Sequence, residues 1–209
     1  MDVIDLPFEF CALRFLLQWE KSEKSLHEQV AGTPSLDQIR SALRYFQVAR
    51  TFKGLKSNEA AQAVADALIA VSEQPSLAPQ ERVDALANAF QERFAQFNRS
   101  AASKLLWLRY REPYIIYDSR AVVALKELGC KLRIKHSYAE YCAHWRTQYE
   151  QRKLAVEEAA SRLPEARAFI PKWHGTDAEL LALASQPWFI ERVFDIYLWE
   201  RGVSGRGDR

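Results

Sequence analysis

The residues able to do chemistry crowd into one stretch, Asn98 to Gly129, which reads NRSAASKLLWLRYREPYIIYDSRAVVALKELG. One acid, Asp118, opens a helical pattern there. Ser103, Lys104, Arg109, Arg111 and Arg120 lie on either side of it, interleaved with Trp107, Tyr110, Tyr114 and Tyr117. Cations can hold phosphates, aromatic faces can stack on bases, and a carboxylate at a helix start can act on what they hold. The charge balance agrees. Arg99 to Lys153 carries twelve Lys/Arg against five Asp/Glu, a local +7, which leaves −5 for the rest of a chain whose total is +2. A basic middle in an acidic frame suits a polyanion. Each residue also has an ordinary structural reading. Asp118 is a good N-cap, Lys104 a solvated or phosphate-binding lysine, and Trp107 and Tyr117 core residues. The arginines have Glu112 and Glu127 as ion-pair partners.

The elements that must position this stretch are helices. Phe8, Ala12, Phe15, Leu16 and Trp19 form one stripe of a helix predicted over Phe8 to Val30. Ser35 with Gln38 forms a capping box for a helix over Leu36 to Phe52, and Gly54 breaks it. Ser57 or Asn58 caps an alanine-rich helix over Glu59 to Val71. Pro79 suits the first turn of a helix running from Gln80 to Phe97. Within the central stretch, a helix ends before Pro113 and a second opens on Asp118 and closes at Gly129. Lys131 to His136 alternates in character and reads as extended. Ser137 and Glu140 cap one long helix to Arg162, and Pro164 stops it. A short helical turn over Glu165 to Ile170 follows. Thr176 and Glu179 cap the next helix, and Pro187 begins the last, Trp188 to Arg201. The expectation is an all-α fold with short connections, one unit over residues 1–201 that can form two lobes, with seams near residues 95–100 and in the C-terminal third. Residues 202–209 read as a disordered tail.

Ser100 to Gly129 resembles the core of the helix-hairpin-helix DNA glycosylase superfamily, and the wording SAASKLL…P…IYDSRA is similar to bacterial 8-oxoguanine DNA glycosylase-like proteins. The terminal RVFDIYLWERG is similar to the ending of such proteins. In that family a helix leads from a hairpin to a proline, a short apolar run and an aspartate at a helix N-terminus. The matching parts are Ala101 to Tyr110, Pro113, Tyr114 to Tyr117, and Asp118. The hairpin falls at Gln91 to Asn98, without the family's glycines. The Schiff-base lysine of the bifunctional members falls at Ser100, and Lys104 lies one helical turn further on the same face.

The resemblance implies a two-lobed helical fold with a central cleft, a duplex DNA partner, a flipped damaged or modified base, and no cofactor. It makes Asp118 the catalytic acid and Lys104 the candidate nucleophile. Cleaving an N-glycosidic bond builds oxocarbenium character on the sugar, which a carboxylate stabilises. A lysine amine could instead attack the sugar carbon. The aromatic set Trp107, Tyr110, Tyr114 and Tyr117 would line the base pocket. Arg99, Ser100, Ser103, Arg109, Arg111, Arg120, Lys131, Arg133 and Lys135 would contact the nucleic acid.

Composition bounds the remaining classes. Hydrophobic residues at 48% indicate a globular chain, and seven glycines in 209 residues argue against a turn-rich β fold. Cys11, Cys130 and Cys142 follow no CxxC pattern, so neither a disulfide framework nor a zinc site is expected, and Cys11 and Cys142 sit in apolar helical contexts. No metal cluster emerges from His27, His136, His144 and His174. Arg167 and His174 have the R-x6-H spacing of helical HEPN ribonucleases, but Pro171 stands between them. Arg206-Gly207-Asp208 carries no weight. No signal peptide or membrane span is expected, and a cytoplasmic monomer fits best. Two other functions remain open: a DNA-binding module of the same fold without catalysis, and a protein-interaction component in a phage-defence or mobile-element setting.

Overall fold

The computed structural model describes residues 6–204, and these contain eleven α-helices and no strand. No described helix is long and apolar enough to cross a membrane. The backbone divides into two compact units. One holds residues 6–22, 118–136 and 140–204; the other holds Glu23–Tyr117 and Ser137–Ala139. The chain passes between them at Ser22/Glu23, Tyr117/Asp118, His136/Ser137 and Ala139/Glu140, not near residues 95–100.

The first unit is built on α1 (Phe8–Gln18), α7 (Ser119–Glu127), most of α8 (Tyr138–Glu150), α9 (Lys153–Ser161), α10 (Asp177–Ala184) and α11 (Pro187–Ser204). Helix α11 is buried on all sides from Trp188 to Leu198 except at Glu191, as expected of a helix at the centre of a core. Phe15 packs on Phe189 at 4.7 Å, and Phe194 stacks on Tyr197 at 5.8 Å. The buried carboxylate of Asp195 accepts the Trp145 indole N–H at 2.8 Å, which satisfies a polar group that would otherwise be costly in that core.

The second unit contains α2 (Lys24–Ala31), α3 (Leu36–Tyr45), α4 (Asn58–Ser72), α5 (Pro79–Phe94) and α6 (Arg99–Tyr110). Phe52 meets Phe90 and Phe94 edge-on at 4.9 and 5.1 Å. The expected capping box at Ser35 and Gln38 forms, and Ser57 caps α4. Buried Arg40 donates to the carbonyls of Leu55, Lys56 and Ser57, so one guanidinium organises the loop before α4.

Several element boundaries differ from the sequence reading. The first helix is interrupted by a π-turn at Trp19–Glu23. The extra residue aims Trp19 at Trp188, 4.6 Å away, and brings the Glu23 carboxylate to the Tyr45 hydroxyl at 2.9 Å. Helix α3 stops at Tyr45 because Gln47 turns left-handed at φ 57°, and a 3-10 turn at Ala49–Thr51 follows. Helix α5 stops at Phe94 because Ala95 is left-handed at φ 56°. The predicted long helix from Ser137 breaks at Gln151-Arg152 into α8 and α9. The predicted turn at Glu165 to Ile170 is a 3-10 helix, Leu163–Phe169. Arg167 and His174 therefore do not share a helix, and Arg167 pairs with Asp177 at 2.7 Å. Helix α11 runs on to Ser204, and residues 205–209 of the predicted tail lie outside the described residues.

The end of α11 fixes the start of α7. A Cβ placed on Gly202 would lie 2.0 Å from the Arg120 carbonyl oxygen and 2.6 Å from its carbon. Those are backbone atoms and cannot rotate away. Trp199, on the same face, lies between Arg14 at 5.2 Å and Arg120 at 4.2 Å. Arg201 approaches Glu127 at 3.8 Å at the other end of α7. Replacing Gly202 with Ala should lower stability by about 1–3 kcal/mol through overpacking, read as a lower urea midpoint with unchanged m-value.

Candidate nucleic-acid site

Asp118 is the N-cap of α7. Its backbone is extended at φ −141° and ψ 142°, and its Oδ1 accepts the Arg120 amide at 3.0 Å. Asp118 is half-buried, and its carboxylate sits at the positive end of the helix dipole. The stretch that delivers it, Tyr114 to Tyr117, belongs to no helix or strand. Its backbone groups must be satisfied another way. The buried Tyr138 hydroxyl donates to the Ile115 carbonyl at 2.6 Å and accepts the Ile115 amide at 2.9 Å. The Ser103 hydroxyl accepts the Tyr117 amide at 2.9 Å. Two side chains thus do the work of a neighbouring strand and pin the chain immediately before Asp118. Tyr138 gives no such signal in sequence, because it lies 23 residues from Ile115.

Lys104 is buried on α6, 6% exposed. Its Nζ donates to Ser100 Oγ at 2.9 Å and lies 5.7 Å from the Phe46 ring centroid. Ser100 and Lys104 are therefore partners rather than alternatives. The aromatic set divides. Trp107 and Tyr114 are each 2% exposed and belong to the core. Tyr110 is 39% exposed and stacks on Tyr114 with centroids 6.0 Å apart. Tyr117 is half-buried beneath the Arg99 guanidinium at 5.4 Å. Of the four, Tyr110 and Tyr117 keep accessible surface for a base.

The cations also divide. Arg99 pairs with Asp84 at 2.8 Å and covers Phe97 as well as Tyr117. Arg109 donates to the carbonyls of Val30 and Gly32, which are orphaned at the end of α2, and approaches Glu73 at 3.6 Å. Arg120 lies on Trp199. Arg111 ends α6 with φ 63°, and burial holds its guanidinium below its ordinary pKa. Ser103 is fully buried and committed to Tyr117. Lys131, Arg133 and Lys135 are the exposed members, on the segment after α7. That segment, expected to be extended, is a loop with a turn at Ile134-Lys135.

Comparison with protein-family models, with curated proteins and with solved structures finds no match for this chain.

Two outcomes follow from these placements. Arg109→Ala leaves two carbonyls of the α2 terminus without their donor, so it should cost about 2–3 kcal/mol of stability, seen as a shifted urea midpoint whether or not DNA is present. His27 donates its Nδ1–H to the Leu108 carbonyl at 2.6 Å, and burial, partly offset by that bond, lowers its pKa from 6.5. The neutral ring is the form the fold prefers. Its contribution is complete above pH 6.5 and is lost as pH falls through the lowered folded value. A stability–pH curve should fall on that side, and His27→Gln should flatten it.

Proposed function

We propose that this protein is a DNA glycosylase-like enzyme that hydrolyses the N-glycosidic bond of a flipped damaged or modified base. The two-lobed, cleft-bearing glycosylase architecture and the duplex DNA partner are part of the proposal. The observation that carries it is the carboxylate of the half-buried Asp118, held at the N-terminus of α7 by a cap bond and delivered by a backbone that Ser103 and Tyr138 pin. Reactions of this kind need a fixed anion beside the sugar. As the bond from C1′ to the base breaks, its electron pair leaves with the base, which takes up a proton. The sugar gains oxocarbenium character, and the carboxylate stabilises it. A water oxygen bonds to C1′, and its proton passes to the carboxylate or to solvent. Hydrolysis is favoured over a lysine route because Lys104 Nζ is engaged by Ser100 and Phe46.

A second reading, DNA binding without catalysis, is favoured by Ser100 at the position where the resemblance expects lysine. Base release from a panel of modified duplexes separates the two. Release is expected from at least one duplex. Asp118→Asn, which keeps a capping oxygen, should fold with wild-type stability and lose release by at least about 100-fold. Borohydride should trap no covalent complex. Full activity in Asp118→Asn removes the mechanism, and binding without release across the panel favours the second reading.

A further inference from the structure

The most exposed large apolar side chain in the described residues is Ile134, 95% accessible at the tip of the loop after α7. The loop that carries it is held firmly. Leu132 and His136 are buried on either side, at 7% and 8%. Glu140 takes the Arg133 backbone amide at 3.2 Å on one oxygen and the Arg133 guanidinium on the other. His136 Nδ1 meets the Arg133 carbonyl at 2.9 Å. These bonds hold Arg133 and His136, burial holds Leu132, and Ile134-Lys135 is left as the turn. A turn tip usually carries glycine, asparagine, aspartate or serine. A β-branched aliphatic residue there has one stiff rotamer and nothing to cover it.

The charge around the tip indicates the partner. Glu140 is used by Arg133, whereas Lys131 and Lys135 are exposed with no ion pair among the described residues. Two other open apolar side chains lack this setting. Leu154, 81% exposed, follows Lys153, which faces Glu157 at 4.0 Å. Phe169, 71% exposed, lies two residues after Arg167, which is paired with Asp177. Ile134 alone of the three combines a fixed apolar tip with uncompensated cations on both sides.

We infer that Ile134 is a wedge that enters a duplex DNA step, with Lys131 and Lys135 on the flanking phosphates. Insertion between base steps needs one stiff apolar side chain, and proteins that unstack DNA use isoleucine among others for it. Holding a protein on a bilayer takes more, either a helix-long apolar face or a second anchoring signal. The inference rests on the nucleic-acid part of the proposed function, but it requires neither Asp118 nor catalysis. It gives the loop after α7 the task of opening the stack.

The test uses the full chain and a short duplex with 2-aminopurine beside a central TA step, which is easily unstacked. Wild-type protein should raise the 2-aminopurine fluorescence on binding. Ile134→Ser should abolish that rise and weaken binding roughly tenfold, as expected for losing one buried aliphatic side chain. Ile134→Phe should retain the rise. Lys131→Gln with Lys135→Gln should reduce the salt slope of log affinity by about 2. All sites are exposed, and thermal melts should match wild type. If Ile134→Ser binds and unstacks like wild type, the wedge is overturned while DNA binding stands. If wild type binds vesicles of phosphatidylcholine and phosphatidylserine through Ile134 and leaves duplex stacking unchanged, the loop is a membrane contact and the wedge is overturned. If no duplex is bound at low salt, the proposed function fails and this inference fails with it.

Discussion

A buried backbone outside helix and sheet must find partners for its amides and carbonyls. Tyr114 to Tyr117 finds them in a turn bond from the Tyr114 amide to the Arg111 carbonyl and in two hydroxyls, Tyr138 on both polar groups of Ile115 and Ser103 on the amide of Tyr117. The placement of Asp118 depends on this. Without those hydroxyls the run before it would hold buried polar groups with no partners, and it would not keep one conformation. Tyr138 opens α8 and Ser103 lies within α6, so two helices contribute to holding four residues of irregular chain.

Beyond Asp118, the constraint becomes steric. Gly202 sits against the Arg120 backbone, and Trp199 fills the space between Arg14 and Arg120. Arg120, a phosphate candidate by composition, is thereby a packing element of the first turn of α7. Arg99 and Arg109 have comparable structural duties. Much of the cationic character of this region is thus used to hold helices together, and the exposed Lys131 and Lys135 lie on the loop that follows α7. A guanidinium serves well in the first role because its flat fork can stack on a ring and donate to several carbonyls at once.

The sequence reading was accurate where the cause is local. Capping boxes at Ser35 and Thr176 need only residues three apart, and both form. Asp118 reads as a helix start and is one, and Gly129 turns left-handed at φ 88° where it closes α7. Cys11 and Cys142 are buried as their apolar context suggests. Features with a distant cause leave no local signal. The π-turn at Trp19–Glu23 answers to Trp188 and Tyr45, and the left-handed residues Gln47 and Ala95 carry no glycine to announce them. Trp107 and Tyr114 have the composition of a stacking platform, and their burial is a tertiary fact.

By itself, the sequence determined that the chain is helical, where most helices begin, and that an acid opens one of them amid cations and aromatic rings. Those properties follow from side-chain type and short spacing, which act within a turn or two of backbone. Only the tertiary structure decided which cations are committed, which rings are core, that Ser100 and Lys104 are bonded to each other, and that Ile134 stands uncovered. Each of those depends on what a distant segment brings alongside, and burial or a filled hydrogen bond is a property of that pairing rather than of either residue.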